Sequence, residues 1–388
     1  MDLSYILNEL GEEREHYFNA IAPPIIQTSN FKFNTVDEMR QRFKDEYGGY
    51  IYSRGLNPTV DILRKKLAAL DEAEDALVFN SGASAIFSSV VPFVSSGDHI
   101  ISVRNPYTWA QRLFNDFLPR FGVQTSYVEG RLLSDFENAI QENTKLIYLE
   151  SPNSWDFGLQ DIAAISKFAK TRNCLVVIDN SYCSPYYQKP ILLGADLVLQ
   201  SATKYLAGHS DVVCGVLAGR KELLQKVFNL EYLTAGNGIQ PFNAWLLMRG
   251  LRTLPARMDR IAKTTQVVLE YLKQHPKIES VIFPLDANFP QVELARKQMQ
   301  GACGLLSFVV KTTDPKNIEH FSESLKHIMM AVSWGGYESL IIPRIAGMEL
   351  KDFNPSDPMQ RLIRLYVGLE DADYIIADLE QALKSITI

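Results

Sequence analysis

Five short apolar runs, most of them separated from the next by a stretch of helical periodicity, constrain this chain more than any other feature. "DALVFN", "DHIISV", "KLIYLE", "CLVVID" and "ADLVLQ" are dominated by β-branched and aliphatic side chains with little polar alternation. Such runs read as strands buried on both faces. An amphipathic segment, Thr59 to Leu70, precedes the first run, and others lie between runs at Ser81 to about Val91, around Phe114, and Asp161 to Lys170. Strands apolar on both faces need cover on both sides, and alternating helices supply it. The pattern therefore predicts an α/β domain with a mostly parallel central sheet. Further along, long helical stretches (Ile239 to Leu251, Arg257 to Gln274) lead to "GLLSFVV" and "RLIRLYVGL", which read as strands of a smaller C-terminal α+β domain. At the other end, the paired prolines of "IAPPIIQTSNFKF" predict an extended arm. The expected organisation is an arm over 1–57, a main domain over 58–250 and a second domain over 251–388.

Composition excludes several classes of function. The 388 residues carry 39 basic and 45 acidic side chains, a net charge of -6, which favours solubility and gives no nucleic-acid signature. Four cysteines (Cys174, Cys183, Cys214, Cys303) stand without CxxC spacing or nearby histidine clusters, so buried free thiols are expected rather than disulfides, and no metal site. The N-terminal "MDLSYILNELGEEREHYFNA" is acidic, unlike a secretory signal, and no apolar run approaches the ~20 residues of a membrane span. The expectation is a cytoplasmic protein with neither a membrane nor a nucleic-acid partner.

Ligands of open α/β sheets gather at the carboxyl ends of the strands. After "DALVFN" comes Ser81-Gly82-Ala83, opening a helix with small side chains; its free N–H groups suit a phosphate, although an ordinary capped helix reads the same way. After "DHIISV" comes Tyr107, after "KLIYL" Glu150 and Ser151-Pro152, after "CLVVI" Asp179 and Asn180, and after "ADLVLQ" Ser201, Thr203 and Lys204. Pyridoxal 5'-phosphate (PLP) accounts for the set. Its aldehyde needs a lysine, its pyridine nitrogen a carboxylate, and its phosphate N–H and hydroxyl donors. A carboxylate about 4 Å from a pyridinium gains roughly 4 kcal/mol at an effective dielectric near 20, before desolvation. The competing reading of Lys204 is a surface lysine at a strand end. "GHSD" (Gly208 to Asp211) invites a hydrolase triad, but neighbours in sequence rarely converge in that geometry and no nucleophile elbow precedes them, so a helix-start hydrogen-bond network is expected there.

"YSRGLNP", "SGASA", "VVIDN", "SATKYLAGHSD", "SWGGYESL" and "RLIRLYVGLED", in that order, resemble the PLP-dependent enzymes of cysteine and methionine metabolism, the cystathionine lyases and synthases. The resemblance runs from "APPIIQTSNF" nearly to the C-terminus. It implies a fold-type-I PLP enzyme acting on a small sulfur amino acid, a homo-oligomer (usually a tetramer) with active sites shared across a dimer. Carried onto these positions, Lys204 is the Schiff-base lysine and Asp179 the pyridinium partner. Gly82, Ala83, Ser201 and Thr203 bind the phosphate, joined from the neighbouring subunit by Tyr52 and Arg54. Tyr107 stacks on the ring and assists proton transfer. Arg364 clasps the substrate α-carboxylate, a task for a planar fork, with help from Ser333. The plainer reading of Arg364 is a strand-edge ion pair.

The departures from the family pattern concern the pocket. Tyr107-Thr108-Trp109-Ala110 stands where much of the family has Tyr-Gly-Gly-Thr, and the cysteine that methionine γ-lyases carry near Trp109 is missing. "ESPNSW" replaces Glu-Ser-Pro-Thr-Asn-Pro, leaving Ser154 in place of an asparagine. Val332 stands where cystathionine γ-lyases and γ-synthases tend to be acidic. Ser154, and Trp334 in "SWGGYESL", resemble the bacterial cystathionine β-lyases. Arg112 is a candidate for the distal carboxylate of a long substrate or, equally, a surface ion pair. The resemblance implies a carbon–sulfur lyase performing α,β-elimination on cystathionine or a related amino acid. A γ-lyase, or a γ-replacement transferase such as a cystathionine γ-synthase or O-acylhomoserine sulfhydrylase, remains open beside it, as does a PLP-binding protein without turnover.

Overall fold

The computed structural model describes residues 1–386. The chain divides into two compact units. The first comprises Met1–Ser154, Gly158–Ala207 and Asp211–Arg252; the second comprises Trp155–Phe157, Gly208–Ser210 and the chain from Thr253 onward. The main boundary falls at Arg252, and two three-residue excursions of the second unit interrupt the first.

In the first unit seven strands form one sheet: β1 (Asp75–Phe79), β2 (His99–Val103), β3 (Gln124–Val128), β4 (Thr144–Glu150), β5 (Leu175–Asp179), β6 (Leu197–Gln200) and β7 (Gly215–Gly219), in the order β1-β7-β6-β5-β4-β2-β3. Strands β2 to β6 pair in parallel, while β7 runs antiparallel to both β1 and β6. Alternate side chains feed two cores. Ile100, Leu146, Tyr148 and Val177 pack with Phe79 and Phe114, and Ile101, Ile147, Leu149 and Ile178 pack with Ile162 and Ile165. Both faces are therefore covered, as the apolar runs require. The sequence reading passes over β7, "GVLAG". A Cβ on Gly215 would meet the Ser81 carbonyl oxygen at 2.3 Å, and one on Gly219 that of Asp196 at 2.4 Å. Close backbone approach demands glycine at both ends, and glycine erases the strand signal. The helix expected around Phe114 is regular only over Thr108–Arg112, then widens into a π-turn at Leu113–Phe117.

The N-terminal segment is tied down at several points. Lys66, fully buried, meets Glu12 at 3.1 Å and donates to the carbonyls of Ile6 and Leu7. Trp245 donates to the Pro23 carbonyl, and Asn57 to that of Ile26. Between these ties Phe18, Ile21, Val36 and Phe43 expose large apolar side chains.

Behind the strand ends, the Gln200 amide donates to both carboxyl oxygens of Asp71, at 3.0 and 2.7 Å. Asp71 has no exposed surface, and burial pushes its carboxyl up to about 8 against the pull of Lys189. An acid whose folded pKa is raised keeps its proton in the fold while the unfolded chain has lost it, so stability falls as pH climbs from about 4 toward 8. Asp71→Asn is expected to match the parent near pH 4 and to exceed it by about 2–4 kcal/mol above pH 8, as judged by denaturant unfolding at the two pH values. Equal slopes for the two proteins would refute it.

The second unit holds a smaller sheet of β8 (Ile278–Ile282), β9 (Leu305–Val310), β10 (Met329–Met330), β11 (Leu340–Pro343) and β12 (Leu362–Tyr366), ordered β10-β11-β12-β9-β8. All its pairings but β10–β11 are antiparallel. The helices Leu254–Gln274 and Ala372–Leu383 belong to the same unit. Among the described residues, no helix is long and apolar enough to cross a membrane.

Candidate active site

Parallel pairing of β4 with β5 sets Glu150 and Asp179 side by side at the carboxyl end of the sheet, as partners in register. Asp179 is buried and accepts the Ser181 N–H at 2.9 Å; the Ser181 hydroxyl in turn accepts the Ser201 N–H at 2.7 Å. Ser181 thus ties the carboxylate at the end of β5 to the turn after β6 that carries Lys204. Burial raises the Asp179 pKa, opposed by the bonds from Ser181 and by the Lys204 ammonium. No periodicity announces Ser181, but its spacing does: a serine two residues past a strand-terminal aspartate is placed for an Asx-type turn.

The helix after β1, Gly82–Val90, begins at Ser81, whose hydroxyl accepts the Ser84 N–H at 3.1 Å. The N–H groups of Gly82 and Ala83 remain at the open first turn, where an anion is favoured. A Cβ on Gly82 would stand 3.0 Å from both Cβ and Oγ of Ser201, so glycine is what lets the helix start and the Ser201 turn close on each other. Thr203 is engaged elsewhere. Its hydroxyl donates to the Cys214 carbonyl at 3.1 Å and accepts the Cys214 N–H at 3.0 Å, leaving it one acceptor site and no proton to offer.

Glu150 is a residue to which the sequence reading gives no role. One of its oxygens accepts the Tyr107 N–H at 2.6 Å and the other the Ser154 hydroxyl at 2.7 Å. A single buried carboxyl thereby fixes both the start of the Tyr107 loop and the residue that replaces the family's asparagine. Burial, and then the neighbouring Asp179 charge, raises its pKa. The Tyr107 ring is 44% exposed and its phenol pKa is raised, chiefly by burial and further by Asp179 and Glu150, so it holds its proton at neutral pH. Glu150→Ala strips two donors of their acceptor, one of them a backbone N–H. Turnover is expected to fall about 10–100-fold, with Glu150→Gln, which still accepts one bond, recovering most of it. Equal losses in the two variants would deny Glu150 this tether role.

In the second unit Arg364 projects from the centre of β12, facing Ser307 on β9 and Ile342 on β11. Its guanidinium lies 4.8 Å from the centroid of the Trp155 ring, and the fully buried Ser307 hydroxyl donates to the Trp155 carbonyl at 3.0 Å. Trp155 thus replaces the family's proline with a platform under Arg364. Ser333 is held at φ 84°, a left-handed conformation that costs a non-glycine residue about 1–3 kcal/mol and that clusters at ligand-binding sites. Trp334 beside it is half-buried.

Other candidates lie on the surface of the first unit. Tyr52 is 42% exposed with the Arg54 guanidinium 5.2 Å from its ring centroid, a pair presented outward. Arg112 meets Asp116 at 2.7 Å one helical turn on, with both side chains more than half exposed: the surface ion pair of its two readings. The helix start expected near His209 does not form. The segment 201–214 is a chain of turns, and the Ser210 hydroxyl donates instead to Glu338 at 2.5 Å. Left-handed backbone at Gly208, φ 71°, and at Ser210, φ 57°, breaks the helical path.

The groups assembled in the first unit fit PLP. A buried carboxylate stands at one strand end, a lysine on the next turn, an open helix start packed on Ser201 through a glycine, and a half-exposed tyrosine on a tethered loop. Comparisons with known proteins agree. The model of the Cys/Met metabolism PLP-dependent enzyme family matches residues 6–384. An L-methionine gamma-lyase of Treponema denticola is 41% identical over 378 residues, covering 95% of this chain and 94% of its own. A cystathionine gamma-lyase of Bacillus subtilis is 35% identical over 387 residues, 97% of each chain. The crystal structure of metB from Corynebacterium glutamicum matches with a TM-score of 0.91 at 33% identity, covering 100% of this chain and 99% of that one.

Proposed function

From the premise that the chain belongs to the PLP-dependent enzymes of cysteine and methionine metabolism, we propose that it is a carbon–sulfur lyase that cleaves L-cystathionine on the β side of sulfur. With one water consumed, the products are homocysteine, pyruvate and ammonia. When bound, PLP supplies an electrophilic carbon for the substrate amine and a sink for the electrons left at Cα. The chain's own residues do the rest. Lys204 Nζ takes the α-proton, Arg364 holds the α-carboxylate, Asp179 keeps a negative charge beside the pyridine nitrogen, and the Tyr107 phenol offers a proton to the departing sulfur. The observation that carries the reading is the Glu150 tether. It fixes Tyr107 while spending the Ser154 hydroxyl, at the position where the γ-acting pattern has an asparagine. The uncharged Val332, 83% exposed, and Trp334 support it.

A second reading, γ-elimination, is favoured by relatives named L-methionine gamma-lyase and cystathionine gamma-lyase. We infer the remaining features from the family pattern: Gly82, Ala83 and Ser201 around the phosphate, with Thr203 held by Cys214 instead, Ser333 beside the substrate, and Tyr52 with Arg54 reaching a neighbouring copy in a homo-oligomer. Incubation of the PLP-loaded protein with L-cystathionine, and separately with L-methionine, followed by mass identification of the keto acid, tests the assignment. Pyruvate from cystathionine supports β-elimination; 2-oxobutyrate from either substrate overturns it in favour of the γ-carbon. Absence of any keto acid, with product formed from an activated homoserine and a thiol, moves the assignment to γ-replacement.

A further inference from the structure

Trp155 carries two guanidinium groups rather than one. Arg344 Cζ lies 4.6 Å from the ring centroid and Arg364 Cζ 4.8 Å, which puts the two cations under about 10 Å apart on a shared aromatic support. The fold fixes both. Arg364 sits in mid-strand on β12, opposite Ile342 of β11, and Arg344 follows two residues later, where β11 gives way to the short turn Arg344–Gly347. Trp155 is anchored to the same sheet by the Ser307 hydroxyl.

The surroundings of Arg344 are unusual for this unit. Arg260 pairs with Asp371, Arg296 with Glu293 and Arg361 with Glu279. Arg344 is half-buried, and among the described residues no carboxylate lies within ion-pair reach of it. Two like charges held this close, one without an acid, repel each other and together attract anionic groups. A planar fork on an aromatic ring keeps its outer edge open for bidentate contact with a carboxylate.

We propose that Arg344 receives a second carboxylate, the distal one of a substrate whose α-carboxylate is held by Arg364, so that the substrate class is a thioether amino acid with a carboxylate at each end. This rests on the lyase reading above and sharpens it. The carboxylates of an extended cystathionine-type chain are separated by seven bonds, roughly 8–9 Å, which the two arginines can span. A monocarboxylate such as methionine leaves Arg344 unused. Arg112, the distal-carboxylate candidate of the sequence, already has Asp116.

The test uses the PLP-loaded protein and Arg344→Met, which keeps apolar volume against Trp155, together with Arg344→Lys. KM for L-cystathionine is expected to rise in Arg344→Met at least about tenfold more than KM for S-methyl-L-cysteine, a monocarboxylate thioether, with Arg344→Lys intermediate. Calorimetry with suberate, whose carboxylates are also seven bonds apart, and with octanoate, unreactive di- and monocarboxylates, should show the suberate preference of the parent lost in Arg344→Met. Equal effects on both substrates, or none, overturn the proposal and leave Arg344 as a buttress of Trp155. If the parent fails to turn over cystathionine, the lyase reading fails by itself, while the suberate preference still decides the role of Arg344.

Discussion

Lys204→Ala is expected to lower thioether cleavage by about a thousandfold or more, because in the proposed mechanism one amine serves as both covalent anchor and proton acceptor. Its position explains why no neighbour substitutes. Lys204 follows β6 on a turn whose backbone is pinned twice, by the Ser201 N–H on the Ser181 hydroxyl and by the Lys204 N–H on the Ser201 carbonyl. A lysine there delivers Nζ to the carboxyl end of the sheet; Lys189 and Lys145 are committed to Glu72 and Asp98 elsewhere. Loss of the cofactor's protein-bound absorbance in Lys204→Ala, with the circular dichroism of the fold retained, is the companion measurement. Turnover within tenfold of the parent would remove Lys204 from the chemistry. Partial recovery by an added small primary amine would instead identify proton transfer as the role lost.

The main sheet was legible because burial on both faces leaves an unbroken apolar signature, and the place of the candidate site residues was legible because they follow those runs directly: Tyr107, Asp179, Ser201 and Lys204 each stand at or just past a strand end. What escaped was whatever depends on backbone proximity between segments distant in sequence. Strand β7 is glycine-bounded because Ser81 and Asp196 press against it, and no local propensity records that pressure. Glu150 stood in plain view, yet its role comes from the N–H of Tyr107, 43 residues away, and its neighbour Asp179 comes from strand register. Trp155 looked like a bare departure from a family proline. Only the sheet of the second unit, which places Ser307, Arg344 and Arg364 around it, shows what the larger ring does.

Asp179→Asn should separate function from stability. Two carboxyls, Asp179 and Glu150, end adjacent strands with almost no exposed surface, and for both, burial moves the pKa upward. With the Lys204 ammonium as the cation acting on Asp179, ionising both is unfavourable. For an acid with a raised folded pKa, the unfolded chain gives up its proton first, so this pair lowers the stability of the cofactor-free fold as pH rises through and beyond the ordinary carboxylate range of about 4. Asparagine keeps the acceptor for the Ser181 N–H and removes the charge. The cofactor-free variant should therefore unfold at a higher temperature than the parent at neutral pH, with the gap closing toward pH 4. The same change withdraws the charge that would face the pyridine nitrogen, and turnover should drop by about 10²–10⁴-fold with weakened PLP affinity. The two readouts move in opposite directions only if Asp179 is held ready for a cation beyond Lys204. A variant less stable than the parent at neutral pH would mean that the carboxylate is structural, satisfied by Ser181 and Lys204 alone. Unchanged PLP affinity would detach it from the pyridine nitrogen.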